Sequence, residues 1–360
     1  MQIPKMLPNK NPNHASISRR NFLNASLLTT YGFASMNFSI FDDKLKVIKP
    51  VALKKGDTIG LVCPAYSAFI REEVQITVES LQEMGFKVVQ GKHIFDRYGY
   101  LAGKDEDRAA DINEMFADKK IDAIMAMHGG WGCARILPLL DYKLIKKNPK
   151  VFIGYSDITA LLLGIYSQTG LVTFHGPVGS STWNSFSVDY FKNTLMEGSA
   201  TKMSNPVKKG DSLVQVEDRI YTITSGIAKG KLIGGNLTVL SHILGSKYVP
   251  DFKGAILFIE DVQEDTYRID RMITQLKLAG ILNQIAGFVF GKCTDCPPSK
   301  SYGSLTLEDI FEDHIKPLKI PAFSGAMIGH IKDKFTVPIG IEASIDATEG
   351  TIKLEESAVS

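Results

Sequence analysis

Three residues of this chain are of the types that together can cleave an acyl bond: Ser156, Glu260 and His330, in that order. A serine hydroxyl becomes a competent nucleophile when a neighbouring imidazole removes its proton. The imidazole does so efficiently when an acid fixes its tautomer and stabilises the imidazolium. Serine, then acid, then histidine is one of the chain orders in which such a constellation occurs. Each residue also has a plainer reading. Ser156 could cap a helix whose dipole Asp157 complements, Glu260 could pair with Arg268 or Arg271 one turn on, and His330 could be a satisfied loop histidine.

The surrounding elements favour the chemical reading. Val151-Phe152-Ile153 is a short apolar strand broken by Gly154, and helical spacing begins at Asp157. Ser156 therefore falls on a strand-to-helix turn, where unpaired helix N–H groups face any charge that develops beside it. The loop 127–135 carries Gly129-Gly130, whose bare backbone could donate to an oxyanion or could simply make a tight turn. As a phosphate-cradling nucleotide loop it fails on spacing, because no GxGxxG is present and no lysine follows these glycines as in a P-loop.

Upstream, apolar runs at 58–63, 86–89 and 121–126 alternate with helical patterns at 71–84 and 105–117. That alternation predicts right-handed crossovers and a mostly parallel sheet with ligands at the carboxyl ends of its strands. A further strand is expected at 171–178, and the polar stretch from 179 to 218 reads as a linker. From Gly226 a second series begins, with strands at 228–233, 255–259, 287–291 and 322–328 and late strands at 338–342 and 351–355. The expected fold is α/β, an N-terminal doubly wound mostly parallel sheet plus a smaller C-terminal mixed α/β domain. Its divisions fall at 1–48 (export signal and tether), 49–180 (the nucleophile), 181–225 (linker) and 226–360 (acid and histidine).

Composition narrows the function. The 360 residues are 44% hydrophobic and 22% charged, and Lys+Arg 41 against Asp+Glu 39 leaves a formal net charge of +2. No basic block exists for nucleic acid to bind. Near the N-terminus, Ser18-Arg19-Arg20-Asn21-Phe22-Leu23 precedes an uncharged stretch at 25–40. The pattern reads as a twin-arginine export signal, with an ordinary amphipathic helix as the alternative, and predicts an exported, periplasmic or envelope-associated protein that engages the twin-arginine machinery. Phe33-Ala34-Ser35-Met36 is a weak cleavage site, so retention as an uncleaved tether is the other outcome. No other apolar run nears the roughly 20 residues of a membrane span, which leads us to expect a soluble mature protein. Four cysteines are too few for a disulfide scaffold. Cys293-Thr294-Asp295-Cys296 lacks the second pair a zinc site needs, and Pro297-Pro298 opposes a redox helix there, which leaves a local disulfide as its chemistry in an oxidising compartment.

Five separated motifs carry a resemblance. Gly129-Gly130-Trp131-Gly132 with Arg135, Gly154-Tyr155-Ser156-Asp157-Ile158-Thr159, Gly234-Gly235-Asn236-Leu237, Ile259-Glu260-Asp261 through Arg271, and Gly329-His330 together resemble the serine LD-carboxypeptidase family. That family comprises muramoyltetrapeptide carboxypeptidases and microcin C immunity peptidases. The resemblance covers about residues 54 to 345. It implies Ser156 as nucleophile, His330 as general base, Glu260 as its orienter, and an oxyanion hole from the backbone N–H groups of Gly130 and Asp157. It further implies a murein stem peptide as substrate, no metal or other cofactor, and pairing as a homodimer. The substrate's free carboxylate calls for a cation, for which Arg135 and Arg268 are the candidates, although Arg268 could equally brace a loop. Trp131 would stack along the peptide or plug the groove. Inactivation of an acyl-nucleotide antibiotic and inactive murein-peptide sensing are the competing functions. The export signal departs from murein recycling, a task usually carried out in the cytoplasm, and points to trimming of stem peptides in the wall.

Overall fold

The computed structural model describes residues 45–298 and 303–360. The paired arginines and the stretch that follows them lie outside the described residues.

Two sheets organise the chain. The first is built from β1 (Thr58–Val62), β2 (Lys87–Gln90), β3 (Ala123–Ala126), β4 (Val151–Gly154) and β5 (Thr173–His175), all parallel, in the order β2-β1-β3-β4-β5. Every residue of β3 and β4 is buried, as expected of parallel strands covered on both faces. The helix Arg71–Glu83 joins β1 to β2 and buries Val74, Thr77 and Leu81; the helix Asp105–Ala117 joins β2 to β3 on Ala109, Ile112, Met115 and Phe116. The strand order reverses between β1 and β3, which opens a crevice at their carboxyl ends.

The second sheet uses β6 (Lys202–Met203), β7 (Tyr221–Thr224), β8 (Ile227–Asn236), β9 (Ile256–Val262), β10 (Gly287–Thr294) and β11 (Ala322–Ser324), followed by late strands of the chain. Of these late strands, β12 (Val337–Ile339) belongs to the first sheet, whereas β13 (Glu342–Asp346) and β14 (Thr351–Leu354) complete the second. The second sheet runs β6-β14-β13-β8-β9-β10-β11-β7, with a parallel centre from β8 to β11 and antiparallel flanks. The fold class is therefore the expected one, a parallel-rich α/β sheet joined to a mixed sheet.

Beyond other shifts in strand length, such as the expected 322–328 stopping at Ser324, the structure differs from the sequence reading in three ways. The run expected to close the second domain at 338–342 instead crosses to the first sheet, where Val337–Ile339 pairs antiparallel with β5. Pro338 has no N–H to donate, so this strand suits a sheet edge, and its three buried residues could have packed on either core. The polar segment 181–225 carries the helix Ser185–Leu195 and both edge strands of the second sheet, β6 and β7. Finally, β9 continues through Glu260 and Asp261 to Val262 rather than ending at Ile259.

The helix Thr159–Thr169 connects the sheets. It is apolar around most of its circumference and buried from Thr159 to Tyr166, with β4, β5, β8 and β12 all touching it. Such a helix belongs in a core, not on a surface. Gly235 permits the closest approach, since a Cβ there would lie 2.6 Å from the Thr159 side chain, whose hydroxyl accepts from the Asn236 N–H at 3.0 Å. No helix among the described residues is long and apolar enough to cross a membrane.

Candidate active site

Ser156 opens the one-turn helix Ser156–Ile158 immediately after β4, and its backbone is left-handed at φ +64°. A non-glycine residue in that region carries about 1–2 kcal/mol of strain and persists because its surroundings impose it. Here β4 must turn at once into the buried helix Thr159–Thr169, and Gly154 is the only residue type that fits under Ile158, where a Cβ would meet the side chain at 2.9 Å. Ser156 is not a cap. The capping positions of the short turn and of the following helix are Tyr155 and Ile158, and neither makes a side-chain cap bond.

The glycine loop closes over this turn. A Cβ on Gly129 would sit 2.6 Å from the Ser156 Cβ and 2.9 Å from its Oγ, and one on Gly130, at φ +124°, would strike Tyr66 at 2.5 Å. The Tyr66 N–H donates to the Gly129 carbonyl, and the Cys133 N–H donates to Asp157 Oδ2 at 2.8 Å. Asp157 thereby ties the loop after β3 to the loop after β4. Burial raises its carboxyl pKa despite the bonds from Cys133. A Gly129→Ala substitution should push the serine off its position. The expected outcome is a loss of at least about 100-fold in kcat with an unchanged circular dichroism spectrum, since displacement by ~1 Å has that effect.

Glu260, on β9, is 0% exposed, and its Oε2 lies 2.8 Å from Nδ1 of His330. With the carboxylate ionised, the shared proton sits on Nδ1, which leaves Nε2 with a lone pair to accept another. Burial pushes the Glu260 carboxyl up, but its interactions, led by the His330 hydrogen bond, outweigh that and hold the group below its ordinary value. Tyr155, the residue before the serine, stands edge-on to the His330 ring with centroids 4.8 Å apart. Behind the site His175 is fully buried, and burial pushes its pKa down to about 4, so it stays neutral.

Ser156 and His330 line one cavity of about 420 Å³ together with Tyr66, Gly129, Gly130 and Trp131. Four of the sequence-predicted residues thus share a cavity, and Glu260 buttresses it from behind. Asp157 sits on the same turn as Ser156. Trp131 is 59% exposed and edge-on to Tyr66 and Tyr100, at the rim rather than plugged into a groove. The two candidate cations stand elsewhere. Arg135 is paired with Asp105 at 2.8 Å and Arg268 lies near Glu264 at 3.6 Å, and neither lines this cavity.

Sequence reasoning passed over Tyr66 and Lys334. Tyr66 follows β1, so counting a third strand end at the same edge would have found it; Lys334 is treated below. Cys293 and Cys296 form a disulfide at the end of β10. The one cluster of metal-ligand type among the described residues, His93, Asp96 and Asp107, lies after β2 and on the following helix, outside the cavity.

The architecture is that of a known peptidase family. The chain belongs to the LD-carboxypeptidase family (peptidase S66), with residues 59–176 matching its N-terminal domain and residues 229–345 its C-terminal domain. A relative from Bacillus subtilis (strain 168) named "Probable murein peptide carboxypeptidase" is 39% identical over 317 residues, covering 85% of this chain and 94% of its own. The solved structure of the microcin C7 self-immunity protein MccF in its wild-type apo state is similar at TM-score 0.79 and 30% identity, covering 87% of this chain and 100% of that one. The muramoyltetrapeptide carboxypeptidase of Oxalobacter formigenes is similar at TM-score 0.71 and 28% identity, covering 82% of this chain and 97% of that one.

Proposed function

We propose that the chain is a serine LD-carboxypeptidase that removes the C-terminal D-alanine from murein tetrapeptides. The observation that carries this reading is the 2.8 Å bond from the His330 ring to the buried Glu260 carboxylate, with Ser156 held left-handed on the wall of the same cavity. In this mechanism His330 Nε2 takes the Ser156 proton as Oγ attacks the carbonyl, and the Gly130 and Asp157 N–H groups receive the oxyanion. The imidazolium then protonates the leaving amine, and a water repeats the cycle in reverse order to free the acylated serine. Glu260 stabilises the imidazolium without taking its proton. The names borne by the relatives in Bacillus subtilis and Oxalobacter formigenes support the substrate.

A second reading rests on the aromatic rim. Tyr66, Tyr100 and Trp131 could stack on a nucleobase, as a peptidase acting on a peptidyl-nucleotide antibiotic requires. Solved complexes of MccF hold aspartyl sulfamoyl adenosine and glutamyl sulfamoyl guanosine. Measuring kcat/KM for a murein tetrapeptide and a peptidyl sulfamoyl adenosine side by side decides between them. We expect the tetrapeptide to be favoured by at least about tenfold, and the reverse preference would exchange the two readings.

The same proposal places the protein outside the cytoplasm on the strength of Ser18-Arg19-Arg20. Cell fractionation with Arg19→Lys and Arg20→Lys checks it, since an entirely cytosolic wild type would remove the claim. The homodimer and the absence of a cofactor remain parts of this reading, checked by sedimentation and by activity in the presence of a chelator.

A further inference from the structure

A second cavity, of about 240 Å³, adjoins the first and shares Tyr155, Ser180 and His330 with it. Its remaining walls are Ser181, Thr182, Ile331, Lys332 and Lys334, so it offers hydroxyl donors and two cations and no carboxylate. We infer that this smaller cavity receives the leaving residue of the substrate, and that Lys334 holds that residue's free carboxylate.

The position follows from the proton path. His330 must stand against the leaving amine when it hands the proton over, while the carbonyl being attacked lies toward Gly129 and Gly130. The acyl part and the leaving residue therefore occupy two compartments that meet at His330, and two such compartments exist. The smaller one falls below the ~300 Å³ at which drug-sized pockets begin, so it suits a single small amino acid.

The choice of Lys334 follows from its surroundings. The residue is 5% exposed, and its Nζ sits 4.3 Å from the centre of the Tyr155 ring. Among the described residues no hydrogen bond or ion pair to that Nζ is found, although Lys49, Lys208 and Lys316 each meet a carboxylate. Glu260 is the nearby carboxylate that favours its charge, but among the described residues it makes no ion pair with Lys334: its Oε2 bonds His330 and its buried Oε1 has no hydrogen-bond partner. An ammonium buried without an acid is costly, and burial lowers its pKa to about 8. An anionic ligand in the cavity removes that cost. A carboxylate gripped there also explains why a chain of this family would act at a free C-terminus, a task that Arg135 and Arg268 are not placed to perform.

The inference takes the identity of the leaving residue from the proposed function, but the binding it predicts needs no turnover. Free D-alanine and D-alaninamide are titrated by saturation-transfer NMR against the full chain and against Lys334→Met and Lys334→Arg, with melting temperatures as the folding check. Wild type should bind D-alanine and not the amide, Lys334→Met should bind D-alanine about 10- to 100-fold more weakly, and Lys334→Arg should recover part of the loss. With tetrapeptide, Lys334→Met should raise KM by a similar factor and leave kcat within a few-fold of wild type. Equal binding of acid and amide by wild type, or unchanged KM and affinity in Lys334→Met, would overturn the inference. Binding of D-alanine through Lys334 without release of D-alanine from tetrapeptide would uphold the pocket and reject the peptidase reading instead.

Discussion

Replacing Ser156 by alanine is expected to lower kcat for D-alanine release by about 10⁴- to 10⁶-fold, the range over which serine peptidases lose rate when the nucleophile goes. What remains comes from the oxyanion donors and from substrate binding, which the substitution leaves in place. KM should change little. The control is Ser156→Gly. Glycine adopts the left-handed conformation that Ser156 holds at φ +64° without the ~1–2 kcal/mol of strain, but it adds roughly 0.5–1 kcal/mol of unfolded-chain entropy. The balance leaves Ser156→Gly up to about 1.5 kcal/mol more stable, so neither variant should melt below wild type. A collapse of rate without a loss of stability assigns the effect to chemistry. A β-branched Ser156→Val, by contrast, should melt measurably lower.

The second large effect belongs to Glu260. Glu260→Gln keeps the shape but no longer forces the proton onto Nδ1 of His330 or balances the imidazolium, and a fall in kcat of about 10³- to 10⁴-fold is expected. The same substitution changes the acid limb of stability. Because the folded pKa of Glu260 lies below its ordinary value, the group contributes stability above pH ~4.5, which is lost as the pH falls through the folded value. Urea denaturation should therefore show wild type losing stability below about pH 4.5 more steeply than Glu260→Gln. Parallel acid limbs for the two proteins would mean that the carboxylate is not engaged by His330 in solution.

Much of this site is legible in the sequence because strand ends are. An apolar run closed by glycine marks β4, and the residues after it face the crevice whatever the rest of the chain does. Glu260 can be placed near a strand end by the same logic, with β9 running two residues beyond it, whereas the strand expected at 322–328 stops at Ser324 and leaves His330 in the loop that follows. What stayed hidden depends on partners distant in the chain. Arg135 reads as a free cation until the fold brings Asp105 to it, and nothing in Lys332-Asp333-Lys334 shows that the last of these will lie over the Tyr155 ring. The crossing of β12 was invisible for a related reason. Three apolar residues with a proline among them carry no information about which sheet edge they will meet. The short edge strands β6 and β7 likewise lie in a polar segment with no period to read.

The central claim is that Ser156 attacks the bond to a C-terminal D-alanine. Its most direct test is to incubate the purified chain and its Ser156→Ala variant with a murein tetrapeptide and follow free D-alanine by mass. The account predicts release by wild type alone, with the tripeptide appearing in equal amount. Release by Ser156→Ala at the wild-type rate, or none by folded wild type, would contradict it.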